Sequence, residues 1–291
     1  MAKVDLYNQI TDNIIATLEA GTPPWTRKWN SKNFIPLRSN GSPYRGINTI
    51  ILWLEGMVKN YKSPYWMTFK QAKDFGGFVR KGEKSTCIVF YSPVVKNEIN
   101  ESGEEDEKIY RLLRSYNVFN VDQIENLPAK FYDIGEVNPD SQIDDCEQFF
   151  NNINAIVEHG GSRAFYTPTS DMIVLPKFED FHSAVDYYST RAHETIHWTG
   201  HHSRLNRNLN RNRFGDEAYA FEELVAEIGA AFINAELNIN SNVRDDHAAY
   251  IASWIKVLKN DKKAIFTAAA MAQKAVDYIN KKTNTDEENE G

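Results

Sequence analysis

The segment from His193 to His197 reads His-Glu-Thr-Ile-His, and its residue types and spacing indicate a metal site. Two histidines four residues apart lie one turn apart on one face of an α-helix, so both imidazoles can bind one ion. Glu194 lies beside the open coordination position, where it can act on a bound water. This arrangement is typical of zinc metallopeptidases. It predicts one Zn²⁺ per chain, with His193 and His197 as ligands and Glu194 as the catalytic residue.

A catalytic zinc ion needs a third protein ligand. In one class of these enzymes, the metzincins, the motif continues to a glycine and then a third histidine. Gly200 matches the glycine, but Ser203 occupies the position of that histidine, and His201 and His202 are out of phase with the pattern. We therefore expect the third ligand to be a carboxylate on a later helix.

The segment Tyr219–Asn238 is the helix that best supplies this carboxylate. Glu223 and Glu227 share one narrow face of an otherwise apolar helix, where a carboxylate is costly to bury unless it is paired with a cation. We predict Glu223 as the third ligand and Glu227 as the acceptor of a hydrogen bond from a ligand histidine. Two alternatives stay open, namely Glu222 as the ligand and an exchange of roles between Glu223 and Glu227.

Periodicity and breakers predict the elements that position these residues and give an α+β fold. We expect a domain of residues 1–138, a mostly helical domain of residues 139–283 and a disordered tail of residues 284–291. The polar segment Pro139–Asp145 separates the domains, and Met172–Leu175 is the strand expected to hold an extended substrate. The predicted helices are Val4–Ala20, Ile47–Asn60, Tyr65–Phe75, Cys146–Glu158, Phe178–Thr199, Tyr219–Asn238 and His247–Lys281; the predicted strands are Ser85–Ser92, Ile109–Val121, Ala164–Thr167 and Met172–Leu175, with a solvated hairpin tip at Asn97–Lys108.

The first third of the chain is basic, although the whole chain carries a net charge of −7. Up to Glu98 there are fourteen lysines and arginines and seven acidic residues, and aromatic residues alternate with the cations. Single-stranded nucleic acid is bound by stacking faces combined with cations along a groove. We therefore predict that this region binds single-stranded DNA. The residues chosen for contact are Trp29, Arg45, Trp66, Lys70, Arg80, Lys81 and Lys84.

Composition argues against a membrane protein. The sequence is 42% hydrophobic and 25% charged, and no stretch approaches the roughly 20 apolar residues of a membrane helix. Asp5, Asp12 and Glu19 interrupt the N-terminal segment, which excludes a signal peptide there. We expect a cytoplasmic protein without a membrane partner.

Several motifs together resemble the family of ArdC-type antirestriction proteins. In the first half these are PPWTRKW, YRGIN, the pattern W-x-T-F-x-Q, GGFVRKGEKS and VFNVDQI, a region also similar to the N-terminal part of plasmid TraC primases. In the second half they are HETIHWTGHHSRLNR, FEELVAEIGAAF and the helical pattern that begins AAYIASWIKVLKN. The resemblance covers nearly the whole chain. His193, Glu194 and His197 match directly, whereas the third ligand matches only within the segment EELVAE.

The resemblance implies an N-terminal α/β domain that binds single-stranded DNA and a C-terminal zincin-like metallopeptidase domain. A carboxylate as the third ligand makes that domain one of the gluzincin type. It also implies carriage on mobile elements and protection of incoming DNA from host restriction. The protein substrate would be a restriction enzyme or another DNA-bound protein. An alternative remains, in which the chain coats DNA and its metal is structural. Glu194 favours the enzyme, because a structural zinc site has no need of a carboxylate between its histidines.

Overall fold

The computed structural model describes residues 5–26, 35–99, 105–133, 139–207, 217–239 and 247–283. The chain forms two compact units that are not contiguous in sequence. The first, here called the helical unit, comprises residues 1–36, 43–60 and 134–291, and the second, the sheet unit, comprises residues 37–42 and 61–133. The predicted α+β class is confirmed.

The sheet unit is built on a four-stranded sheet in the order β1-β2-β5-β4. β1 runs parallel to β2, and the other neighbours are antiparallel. A second pair of strands, β3 and β6, is antiparallel. The elements are β1 (Leu37–Arg38), β2 (Tyr65–Met67), α3 (Phe69–Asp74), β3 (Phe78–Val79), β4 (Thr86–Ile99), β5 (Glu105–Asn120) and β6 (Ile124–Glu125), with short 3₁₀ turns at Val121–Gln123 and Ala129–Phe131.

The core of the sheet unit lies where α3 and the two 3₁₀ turns cover the sheet. Its buried residues are Met67, Ala72, Val121, Ile124, Leu127 and Phe131. Thr68 begins α3 with a capping box, because its hydroxyl accepts from the Gln71 amide and the Gln71 side chain accepts from Thr68. Away from this core, β4 and β5 pair only with each other and form a long two-stranded ribbon.

The helical unit contains the predicted metal-binding helix and a three-stranded sheet in the order β7-β9-β8. β7 is parallel to β9, and β8 is antiparallel to it. Among the described helices, none is long and apolar enough to cross a membrane. The elements are α1 (Leu6–Glu19), a 3₁₀ turn at Pro24–Thr26, α2 (Ile47–Lys59), α4 (Pro139–Asn151), β7 (Ile156–His159), β8 (Phe165–Thr167), β9 (Met172–Leu175), a 3₁₀ turn at Phe178–Asp180, α5 (Ala184–Thr199), α6 (Glu217–Glu236), α7 (His247–Asn260) and α8 (Ala264–Thr283).

The N-terminal helices pack against the C-terminal ones. The Thr11 hydroxyl donates to the carbonyl of Lys262 at 2.7 Å, which ties α1 to the turn between α7 and α8. The rings of Trp53 on α2 and Phe232 on α6 lie 5.7 Å apart between centroids. The compact units therefore divide the chain differently from the expected boundary after residue 138. The physical reason is that the apolar faces of α1 and α2 find their partners more than 150 residues further along the chain.

Four predicted elements differ from the structure. The helix predicted at Phe178–Thr199 begins only at Ala184, after a separate 3₁₀ turn at Phe178–Asp180. The helix expected at Tyr65–Phe75 is strand β2 followed by α3, because Trp66 and Met67 pair with Asn120 and Phe119. The polar segment at Pro139–Asp145 is the first half of α4, whose end at Asn151 leaves Ile156–His159 as a strand. The single long helix predicted at the C-terminus is two helices, α7 and α8. Residues 100–104, in the predicted hairpin tip, and the tail 284–291 lie outside the described residues.

Candidate metal centre

Two helices, α5 and α6, carry the candidate ligands. Ser183 caps α5, its hydroxyl accepting a hydrogen bond from the amide of Asp186 at 3.1 Å, and the helix ends at Thr199, just before Gly200 as predicted. The two helices are in close contact at Gly229. A Cβ atom there would lie 2.7 Å from Cδ1 and 2.8 Å from Cγ1 of Ile196. The absence of a side chain at Gly229 thus lets α6 bring its carboxylates to the histidines of α5.

The side chains of His193, His197 and Glu223 converge on one point. The two Nε2 atoms lie 3.2 Å apart, and each is 3.5 Å from an oxygen of Glu223. All three side chains are buried. Among the described residues, this is the one group of three or more histidine, cysteine or acidic side chains with donor atoms close enough to share a metal ion.

Each histidine meets a further carboxylate at its other nitrogen. Glu227 Oε1 lies 3.0 Å from Nδ1 of His193, the position predicted for Glu227. Glu222 Oε1 lies 3.1 Å from Nδ1 of His197, a contact that the sequence had not assigned. A carboxylate oxygen only accepts, so at His197 the Nδ1 atom donates to Glu222 and Nε2 presents its lone pair. At His193 the Glu227 carboxylate lies within ion-pair distance of Nδ1 without forming a hydrogen bond to it.

The positions of these three side chains suit a bound cation, and without a cation their close approach is unfavourable. Two imidazole lone pairs and a carboxylate face a common point in a buried site, where electron-rich atoms repel each other. A divalent ion bound by His193, His197 and Glu223 removes that repulsion, and two nitrogens with one oxygen form a donor set that zinc accepts.

Arg207 binds the carboxylate of Glu222 and the last turn of α5, and sequence reasoning did not identify it. Its guanidinium donates to both oxygens of Glu222, at 3.1 and 2.9 Å, and to the carbonyl of Ile196 at 2.7 Å. It also donates to the Thr199 hydroxyl at 2.8 Å. The arginine thus connects the end of α5 to the carboxylate that orients His197. Arg207 lies in the loop after α5, where no periodic pattern of residues marks it.

The charges of the site shift the acidity of its carboxylates. Burial alone would raise the pKa of Glu223, and positive charge at His197 and His193, the place that a bound cation takes, holds that pKa below its ordinary value. Burial likewise opposes ionisation of Glu222, and hydrogen bonds from His197 and Arg207 hold its pKa below the usual range. Both carboxylates are therefore ionised and able to pair with cations.

Glu194 is a buried carboxylate on the same helix as the two histidines. It follows His193 on α5, is 3% exposed, and its Oε2 has no hydrogen-bond partner among the described side chains and backbone groups. Leaving a buried carboxylate oxygen without a partner destabilises a fold by about 1–3 kcal/mol or more. Such an atom is expected where a substrate, water or ion completes the site.

The sheet beside α5 does not offer Met172–Leu175 as the strand that holds an extended substrate, contrary to the prediction. Met172–Leu175 is β9, the central strand of its sheet, so both of its edges are already paired and it has no edge for a substrate. β8 and β7 are the outer strands. β8 is joined to the end of α5 through Arg204, which donates to the Tyr166 hydroxyl of β8 at 3.2 Å and to the carbonyl of Trp198 at 2.6 Å.

The predicted DNA-contacting residues are distributed over both units. Trp29 lies outside the described residues, and Arg45 belongs to the helical unit, where it pairs with Asp277 on α8. Trp66 is 2% exposed and packs edge-on against Tyr61. A buried ring cannot stack on a base, so the assignment of Trp66 to DNA stacking is corrected: it is a core residue.

Four predicted cations remain on the surface of the sheet unit. Lys70, Lys81 and Lys84 are exposed. Arg80 donates to Glu83 at 2.8 Å and to the carbonyl of Asp122 at 2.6 Å, so it also fixes the loop that leads into β4. The cations of this loop are therefore held at one end of the sheet.

Two family models match the chain. Residues 4–119 match the N-terminal domain of anti-restriction factor ArdC, and residues 144–271 match a zincin-like metallopeptidase. The protein y4eC of Sinorhizobium fredii is 36% identical over 98% of this chain and 95% of its own length. DNA primase TraC of Escherichia coli is 38% identical over 95% of this chain, which spans only 27% of that primase.

Solved structures give the same result. The metal-free crystal structure of the antirestriction protein ArdC from plasmid R388 is 44% identical, with a TM-score of 0.81 over 96% of this chain and 98% of that one. Its Mn(II)-bound structure is matched with a TM-score of 0.79. The latter shows that this relative binds a divalent metal. With this identity over nearly the full length of both chains, the protein belongs to the ArdC antirestriction family.

Proposed function

We propose that this chain is a cytoplasmic antirestriction protein that binds single-stranded DNA and hydrolyses peptide bonds of a DNA-bound protein. In this proposal His193, His197 and Glu223 bind one Zn²⁺. The observation that carries it is the convergence of two imidazole nitrogens and a carboxylate in a buried site, on a helix where the residue after His193, Glu194, keeps a buried carboxylate oxygen without a partner.

The residues around the ion have distinct tasks in the proposed reaction. When bound, zinc would polarise the scissile carbonyl and make a water molecule more acidic. Glu194 takes the proton of the attacking water on its free oxygen and returns it to the leaving amine nitrogen. Glu227 and Glu222 hold the two imidazoles in the orientation in which Nε2 faces the ion. Arg207 keeps Glu222 ionised and in place.

An extended peptide would reach the centre along β8. This outer strand pairs with β9 on one side only, so its other edge offers backbone groups to a substrate. Phe165 and Thr167 alternate with the buried Tyr166, which leaves their side chains on the face away from the core. β8 replaces Met172–Leu175 in this role.

DNA binding is assigned to the sheet unit. The sheet unit is basic when residues 96–111, at the far end of its ribbon, are left out. The remaining residues, 37–42, 61–95 and 112–133, contain nine lysines and arginines and five acidic residues. Exposed Lys70, Lys81 and Lys84 supply phosphate contacts, and binding to phosphates should weaken as salt rises. Binding to single-stranded DNA would place the peptidase near proteins on incoming DNA.

The experiment that tests the proposal compares the wild-type protein with Glu194→Gln. Both are stripped of metal, reloaded with zinc and incubated with DNA-binding proteins as substrates, with and without single-stranded DNA. We expect the variant to retain one zinc per chain and to lose cleavage by about 10²–10⁴-fold, because Gln keeps the shape of Glu but cannot accept the proton. Equal cleavage by both proteins would contradict the mechanism. If neither protein cleaves any substrate but both bind single-stranded DNA, the metal is structural and the protein acts by coating DNA.

A further inference from the structure

The β4–β5 ribbon is buried at its inner end, at Ile88 and Val118, and carries exposed aromatic side chains further out, among them Tyr116 and Tyr91. β2 pairs with β5 only at Phe119 and Asn120, so from Asn117 outward the described ribbon is two strands wide. A ribbon of two strands has no second layer of its own to cover apolar side chains. Exposed aromatic residues on it are therefore candidates for contact with a ligand.

The strand register places one set of residues on a common face. Ile88 lies opposite Tyr116, and Phe90 lies opposite Arg114, so these four side chains point the same way. Tyr116 and Phe90 are diagonal neighbours, and their rings stack with centroids 4.6 Å apart and planes at 16°. Tyr116 is nevertheless 57% exposed. Its ring is held in a fixed orientation by Phe90 on one side.

The charge distribution selects the kind of ligand. In the paired segments 86–93 and 112–119 the only charged residue is Arg114, which is exposed. Beyond them, residues 96–111 contain six acidic residues and three basic ones. The sheet end of the ribbon is therefore suited to an anion that also offers flat apolar surfaces, and the far end repels such an anion. Single-stranded DNA combines phosphates with unpaired bases, whereas the bases of a duplex already stack on each other.

We propose that Tyr116, supported by Phe90 and flanked by Arg114, is a base-stacking subsite for single-stranded DNA. This rests on the proposed function and deepens it by naming the surface. A base stacks on the open side of the Tyr116 ring, and the guanidinium of Arg114 contacts a neighbouring phosphate. Lys84, two residues before β4, extends the same cationic end of the ribbon. The subsite supplies the stacking role that the buried Trp66 cannot fill.

The test uses the full-length protein and a fluorescently labelled oligothymidylate, with affinity measured by anisotropy at two salt concentrations. Tyr116→Ala should weaken binding by roughly 5- to 150-fold, because each stacked base contributes that much to affinity. Tyr116→Phe keeps the ring and should bind as the wild type does. Arg114→Ala should lower the salt dependence by about one phosphate contact, which Tyr116→Ala should leave unchanged.

Tyr91 provides a matched control on the same ribbon. It is 47% exposed but pairs with Leu113 on the opposite face, so Tyr91→Ala should not change affinity. A thermal melt of each variant checks that the fold is retained. If the wild type binds and Tyr116→Ala binds equally well, or if Tyr91→Ala loses as much affinity as Tyr116→Ala, the subsite is wrong while the proposed DNA binding stands. A wild type that binds no single-stranded DNA refutes both.

Discussion

Replacement of Gly229 by alanine tests whether the close approach of α5 and α6 sets the metal centre. The new methyl carbon would lie 2.7, 2.8 and 3.1 Å from three carbons of Ile196, whereas comfortable contacts between carbons are about 3.5–4.0 Å. Ile196 is fully buried and precedes His197, so it has no open space to enter. The helices must therefore separate by roughly 0.5–1 Å at this point.

The expected effect on stability is smaller than the effect on metal binding. Overpacking of this kind lowers the free energy of unfolding by about 1–3 kcal/mol. Replacing a glycine in a helix interior by alanine raises it by about 1 kcal/mol. The metal-free protein should thus lose about 0–2 kcal/mol of unfolding free energy. Metal sites tolerate changes of only about 0.2 Å in ligand distances, so zinc affinity should fall by about tenfold or more.

The assay is zinc affinity by competition with a chelating dye, combined with urea unfolding of the metal-free protein. Ile196→Ala removes the three carbons that the new methyl meets. The double variant with Gly229→Ala should therefore bind zinc more tightly than Gly229→Ala alone, with a coupling of about 0.5–3 kcal/mol. If Gly229→Ala binds zinc as the wild type does and its metal-free form is more stable, the helices do not need this close contact and the reasoning fails.

Three further predictions concern residues around the centre. Glu223→Gln should lower zinc affinity more than Glu227→Gln, measured by the same competition, and the reverse order would exchange their roles. Arg207→Lys keeps the charge but loses the fork that holds Glu222, so zinc affinity should fall about 10–100-fold; unchanged affinity would make the arginine a helix cap only. Arg204 lowers the pKa of Asp171 from 3.8 to about 2, so the stability that this carboxylate contributes is present above pH 4 and is lost as pH falls towards 2. The difference in melting temperature between wild type and Asp171→Asn should shrink over that range, and a difference independent of pH would show that the pair contributes nothing through ionisation.

The sequence predicted those parts of the candidate metal centre that depend on the spacing of residues within a single helix. The spacing of His193 and His197 fixes their convergence within α5, and the apolar helix α6 singled out Glu223 and Glu227. The link between Glu222 and Arg207 depends on how a loop returns to the end of α5. No local pattern encodes that return, so the sequence left Glu222 as an open alternative and did not indicate Arg207.

The proposed DNA-binding surface was harder to predict, because the burial of a side chain depends on the whole fold. Trp66 and Tyr116 are both aromatic residues near cations in the sequence. Strand pairing places one in the core and leaves the other 57% exposed on the ribbon. Pairing between distant strands also explains why Tyr65–Met67 is a strand although its local sequence suggested a helix.

The discontinuous helical unit has a consequence for the time at which the protein acquires its fold. The hydrogen bond from Thr11 to Lys262 joins residues 251 positions apart. At about 5–20 residues per second, a ribosome needs roughly 12–50 s to add the chain between them. The sheet unit, contained within residues 37–133, is complete long before that. During this interval the apolar side chains of Ile10, Ile14 and Leu18 have no C-terminal helix to cover them, so α1 of the nascent chain is open to chaperones and proteases.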